Sequence, residues 1–413
     1  MEPIETPQVK DIKSNQTHIP LSVALKYDLS KTIGKVFDAF GSSGTEKVYS
    51  VDNKDWLNLF DGSGRISSNT DVQVLVFQRG LDHDLRQEAW PYLLGIFPSD
   101  LTSEERTRYL FMKTQVFKHL KENWMTKNPK EIQSLTHMIQ KDVLRTDRTH
   151  PFFNVKEDHP NLVSLFNILT TFAFNNPDIS YCQGMSDLAA PLLVIFNNET
   201  LAYLGFCKIM DRLRNNFLLK GTALMGKFSQ LSLLLLTVDK PLFDHLQEIE
   251  GGNLYFCYRM LLLEMKREFP FNDAINVLEV IWSSVPHNND DEEEFFQSLL
   301  GTNPNEEELD IDFTDLPEPR LLNDGSPFPL FLCLSVLLLN REQVMEFEDY
   351  TMLAMHFDKL SRKLDASKVI AKGKQLFFKY LKHYLVNKAT IRKSLLNECL
   401  ENSHGTSSTA AKC

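Results

Sequence analysis

The chain has 413 residues, 43% of them hydrophobic, which is enough apolar material for a large buried core. Its net charge of −11 sits almost wholly in one place, because twelve acidic residues and no Lys or Arg lie between Asp290 and Glu318. The remainder is close to neutral, which excludes a basic nucleic-acid-binding domain, and no apolar run reaches the roughly 18 residues of a membrane span.

In chain order, Met1-Glu-Pro-Ile-Glu lacks the basic start and apolar core of a secretory signal. Residues 1–49 read as a weakly structured N-terminal segment. Asp71-Val-Gln-Val-Leu-Val-Phe77 alternates as a strand would, but it is too short and isolated to build a sheet. From about residue 50 to 285 the pattern is a succession of amphipathic helices. Thr102-Ser-Glu-Glu105 fits a capping box, and Leu110, Val116, Phe117, Leu120 and Trp124 follow at helical spacing. Pro129 marks the next boundary, after which Ile132, Leu135, Ile139 and Val143 share a face. Leu162, Leu165, Phe166, Leu169 and Phe172 define another helix, stopped by Asn-Asn-Pro at 175–177. Further periodic segments cover about 184–196, 199–218, 222–236, 241–249, 254–268 and 272–283. Residues 286–326 are rich in Asn, Asp, Glu and Pro and read as an acidic disordered insertion. Helical periodicity resumes at Phe328 and runs to Tyr384, and 386–413 reads as a C-terminal tail. The six cysteines are scattered, without CxxC or histidine partners at metal spacing, so no metal site is expected. There is no P-loop and no lipidation signal.

Two short stretches carry chemistry. In Ile139-Gln-Lys-Asp142-Val-Leu-Arg145, Asp142 and Arg145 share a helix face. They form either a local ion pair at a helix end or a carboxylate holding a guanidinium extended towards a partner. A planar, permanently charged guanidinium suits the charge that develops in phosphoryl transfer. Arg148, one turn on, competes for that role. Tyr181-Cys-Gln183-Gly184 follows 36 residues after Arg145. Its carboxamide could satisfy buried backbone groups or orient a water, and its glycine permits close backbone approach.

The two motifs together resemble I-x-x-D-x-x-R and Y-x-Q-G of the TBC-domain family of Rab GTPase-activating proteins. The resemblance extends through Arg86-Gln-Glu-Ala-Trp90 and through Arg259 to Arg267-Glu268-Phe269, with Met260 and Leu278 standing where tryptophan is common. It covers most of the chain and is strongest with the branch linked to endosomal and autophagic Rabs. It implies an all-α, multi-helical TBC domain over residues 50–385. It also implies acceleration of GTP hydrolysis by a Rab small GTPase in vesicle trafficking. Arg145 would be the arginine finger, Gln183 the glutamine finger, and Asp142, Tyr181 and Gly184 would support them. GTP and Mg²⁺ would belong to the partner, so no cofactor and no hydrolase site of its own are expected, and the protein would be cytoplasmic with recruitment to endosomal or autophagic membranes. A non-catalytic Rab- or Atg8-binding adaptor is the alternative. Arg86 and Trp90 read as a packing and ion-pair element. In the acidic segment, Phe296 with Leu299 and Phe313 with Leu316 resemble the short aromatic-x-x-aliphatic segments that bind Atg8 proteins, against the plainer reading of a solvated spacer.

Overall fold

A computed structural model describes residues 50–405 apart from 67, 128, 219–221, 288–290 and 302–310. The N-terminal segment expected at 1–49 lies outside the described residues. Among the described residues there are seventeen α-helices and three short 3-10 turns, while the β-bridges are isolated pairs. The all-α expectation holds.

In chain order the first helices are α1 (Asn53–Leu57), α2 (Asn69–Arg79), α3 (Arg86–Leu93), α4 (Ser103–Met125), α5 (Pro129–Val143) and α6 (Pro160–Asn175). The middle of the chain forms α7 (Met185–Phe196), α8 (Glu199–Phe217), α9 (Thr222–Val238), α10 (Lys240–Glu248), α11 (Tyr258–Leu262) and α12 (Phe271–Ser283). After these come α13 (Glu292–Leu300), α14 (Phe328–Leu339), α15 (Arg341–Val344), α16 (Tyr350–Lys359) and α17 (Ala366–Gly405). The expected capping box opens α4: Thr102 accepts from the Glu105 amide while Glu105 reaches back to the Thr102 amide. Phe117 and Trp124 point from that helix into the core, whereas Val116 stays exposed.

α7 is apolar beyond its first turn and α14 is apolar along nearly its whole length, and both are largely buried, as such helices must be. α14 lies along α17, joined by an aromatic cluster in which the Phe377 ring meets those of Phe328 and Phe331 at 5.3 and 5.2 Å.

Four sequence expectations change. Asp71–Phe77 is part of helix α2, not a strand. Its three alternating valines misled because Val72, Gln73, Val74, Val76 and Phe77 are all buried, so the helix has no wet stripe to reveal its period. The helix expected over 254–268 ends at Leu262, where Glu264 and Met265 take left-handed φ of 48° and 64°. The tail expected from 386 is instead helical as far as Gly405, a continuation of α17.

The largest correction concerns the acidic insertion. Over its described residues, 286–326 is not disordered. Asp291 caps α13, accepting from the amides of Glu293 and Glu294, and three glutamates occupy the first turn, where the helix dipole favours negative charge. The other face of α13 carries Phe295, Phe296, Leu299 and Leu300 into the core. Phe313 packs edge-on to Tyr380 of α17 at 5.9 Å, and Leu316 and Leu322 are also buried. Residues 302–310 lie outside the described residues.

Lys374 of α17 is buried, donates to the Phe77 carbonyl and sits over the Phe77 ring. Burial brings its amine down to about 7 from an ordinary 10.5. The unfolded chain then holds a proton that the folded chain gives up between those values, so stability rises with pH across that window. The unfolding free energy from urea titrations should climb as pH rises from about 7 towards 10, by up to about 1.4 kcal/mol per pH unit. The Lys374→Met variant should lose that slope.

Candidate functional site

The site forms where the end of α5 meets the start of α7. Asp142 lies in the last turn of α5, and its carbonyl accepts from the amides of Arg145 and Thr146 and from the Thr146 hydroxyl. That knot turns the chain sharply, so Arg145 leaves the helix end with its side chain 57% exposed. The Asp142 carboxylate divides its two oxygens. Oδ1 accepts from Nε and Nη2 of Arg145 at 2.9 and 2.5 Å, while Oδ2 accepts from the Tyr181 hydroxyl at 2.7 Å. Both motifs therefore meet on one buried carboxylate. Burial and the neighbouring Asp142 push the Tyr181 phenol up, so it stays protonated and able to donate.

Gln183, two residues after Tyr181, is exposed. The next residue, Gly184, begins α7 at φ 104°, and a Cβ there would come within 2.9 Å of Leu263 Cδ2. Only glycine suits both demands. Gly184→Ala should cost about 1–2 kcal/mol in thermal stability. By shifting Gln183 it should cost about tenfold to a hundredfold in any reaction that needs the carboxamide in place. Melting and activity measured on the same preparation separate the two effects.

Arg148, the competing arginine, donates through Nη2 to the Val155 carbonyl at 2.7 Å and is half-buried. It braces the loop that follows α5. Thus Asp142, Arg145 and Tyr181 meet in one hydrogen-bond chain, and Gln183 and Gly184 follow on the loop that Tyr181 ties to it. Phe296, Leu299, Phe313 and Leu316 do not join them; all four are buried in the core.

Sequence reasoning missed the layer beneath. With the Thr146 hydroxyl hydrogen on the Asp142 carbonyl, the Ser186 hydroxyl donates to Thr146 Oγ1 at 2.8 Å. Asp187, in the first turn of α7, accepts from Arg267 Nη2 at 2.6 Å. Lys266 donates to Asp147 and lies 3.8 Å from Asp187. In the sequence Arg267 stands out only as part of Arg-Glu-Phe, and nothing singles out Lys266. Arg145, Arg267 and Arg362 are all partly exposed, each paired with a buried aspartate of this network. Among the described residues, no group of three or more His, Cys, Asp or Glu side chains is placed to hold a metal ion, and no helix is long and apolar enough to cross a membrane.

The Rab-GTPase-TBC domain model matches residues 83–297, just over half the chain. The chain belongs to the Rab-GTPase-TBC domain family. TBC1 domain family member 25 of Homo sapiens is 38% identical over 273 residues, covering 65% of this chain and 40% of that protein. GTPase-activating protein gyp7 of Schizosaccharomyces pombe is 32% identical over 247 residues, covering 55% of this chain and 33% of that protein. The chain thus spans well under half the length of either relative. The solved Ypt/Rab-GAP domain of Gyp1p shares the fold with a TM-score of 0.63 at 16% identity, covering 80% of this chain and 98% of that one. Within this TBC domain the matched stretch contains both motifs, helices α3 and α12, and Phe295 and Phe296 of α13.

Proposed function

We propose that this TBC domain accelerates GTP hydrolysis on a Rab-family GTPase, inserting Arg145 and Gln183 beside the γ-phosphate of the partner's nucleotide. The supporting observation is the Arg145–Asp142–Tyr181 hydrogen-bond chain, which holds an exposed guanidinium next to the loop that presents Gln183. The guanidinium would balance charge spreading over the γ-phosphoryl oxygens. The carboxamide, able to donate and accept at once, would orient the attacking water. GTP and Mg²⁺ would be the partner's. Endosomal and autophagic Rabs are the substrates to try first.

The Atg8-adaptor alternative draws no support from the fold. Phe296, Leu299, Phe313 and Leu316 are no more than 8% exposed, so docking through them would require this region to leave the core. Single-turnover GTP hydrolysis across a panel of purified Rabs tests the proposal. Wild type should accelerate one or a few of them, and Arg145→Ala and Gln183→Ala should each remove most of the effect. Rab binding without any acceleration would replace the proposal with a non-catalytic adaptor.

A further inference from the structure

Three ties join the two motif-bearing segments in successive layers. Outermost, Asp142 takes Tyr181; beneath it, Thr146 takes Ser186. The innermost tie is different, because it passes through a third element. Lys266 is 3% exposed, and its ammonium donates to Asp147, two residues after Arg145. The same ammonium lies 3.8 Å from Asp187, in the first turn of the helix that Gly184 caps. The Phe271 ring sits beneath it at 5.2 Å.

An independent observation marks the same place. Of the non-glycine residues with left-handed backbone, Asp147, Glu264, Met265 and Arg362 all belong to this network or adjoin it. Asp147 and Arg362 are further linked, Arg362 Nη2 to Asp147 Oδ1 at 3.4 Å, and the Arg362 amide donates to the Arg267 carbonyl at 3.0 Å. Left-handed φ in residues other than glycine persists where the surroundings over-determine it, and it gathers at functional sites. Here it turns the chain out of α11 early, at Glu264 and Met265, and delivers Lys266 inward between two aspartates.

We infer that Lys266 is a positioning residue that sets the distance between Arg145 and Gln183 by clamping Asp147 and Asp187 from behind. This rests on the two-finger reading for its activity consequence, though not for its structural one. Both fingers are mounted on turns, and a ligand that needs both at once requires their separation to be fixed. One buried ammonium facing two carboxylates from the two segments fixes it without occupying the exposed surface. Asp187 is also held by Arg267 and Asp147 by Arg362, but it is the Lys266 ammonium that faces both carboxylates.

The test compares Lys266→Met, Lys266→Arg and Asp147→Asn in the full chain. Asparagine keeps the left-handed turn at 147 while weakening the tie, so this variant still informs if Lys266→Met folds poorly. At saturating TBC domain, Lys266→Met should lower the single-turnover hydrolysis rate of the responsive Rab at least tenfold. The concentration giving half the maximal rate should change less than about twofold, as for a residue that orders the transition state without contacting the partner. Lys266→Arg should recover at least half of the lost rate, and Asp147→Asn should fall between the two.

Amide hydrogen exchange supplies a readout that needs no activity. In Lys266→Met, residues 144–147 and 181–187 should exchange faster together, with α14 and α17 unchanged. Unchanged exchange in both segments overturns the inference whatever the activity. So does a weakened half-maximal concentration at unchanged maximal rate, or an arginine variant as impaired as the methionine one. If Arg145→Ala is fully active while exchange responds as expected, the two-finger reading fails and the clamp stands.

Discussion

Arg145→Ala is expected to abolish most of the acceleration of GTP hydrolysis on the responsive Rab, by about 10³- to 10⁵-fold, the worth of an arginine finger supplied in trans. The loss should fall on the rate of the chemical step, because the side chain is anchored outside the core and its removal leaves Asp142 bonded to Tyr181. Thermal stability should therefore change little, in line with the small value of a partly exposed ion pair. Arg145→Lys should rescue poorly, since an ammonium cannot reproduce the two-pronged contact with Asp142 Oδ1. Arg148→Ala should show the reverse profile, with lower stability from the lost bond to Val155 and activity largely kept. An Arg145→Ala protein as active as wild type would sink the assignment and send attention back to Arg148.

Glu279→Ala should be the most damaging single change to stability, at about 3–5 kcal/mol, the cost of orphaning a buried ion pair. Glu279 of α12 is 1% exposed and accepts from Arg86 Nε at 2.8 Å and from the Trp90 indole N–H at 2.7 Å. Arg86 also donates to Asn276 at 2.6 Å, and Trp90 stacks edge-on to Trp282 at 4.9 Å. One carboxylate thus binds α3 to α12. Burial pushes its carboxyl upward against the pull of Arg86, so the site is costly to hold charged. That cost explains why truncating one partner is worse than removing both. The double variant Arg86→Met, Glu279→Met should regain much of the lost stability. Against a total of about 5–15 kcal/mol for a folded domain, Glu279→Ala alone could consume most of the margin. Urea unfolding of the three variants reads this directly, and a loss below about 1 kcal/mol for Glu279→Ala would mean the pair behaves as a surface contact.

Much of this was legible in the chain. The Thr102–Glu105 capping box and the shared face of Asp142 and Arg145 are local features, written within one or two helical turns, and both appear in the fold. Arg86 and Trp90 read correctly as a packing and ion-pair element, although their partner Glu279 lies 193 residues from Arg86 and could not be found by spacing. The acidic segment misled because composition averages over a helix that has two sides. Glu292, Glu293 and Glu294 add to the acidic composition, while Phe295, Phe296, Leu299 and Leu300 decide how the helix packs. The same averaging made Phe296 and Phe313 look like free recognition side chains. Lys266 was invisible for another reason. It owes its position to two left-handed residues, Glu264 and Met265, neither of which is a glycine or asparagine that would have announced a turn.

The pairing of Arg145 with Asp142 has a consequence for the timing of recognition. An arginine free in solvent samples many rotamers, and quieting them costs up to about 2 kcal/mol when a ligand arrives. Here two hydrogen bonds to a carboxylate that Tyr181 already steadies have restricted that wandering during folding. A partner meets a side chain whose search is over, so encounter and readiness coincide, and little of the docking energy is diverted into arranging the residue that docking is for.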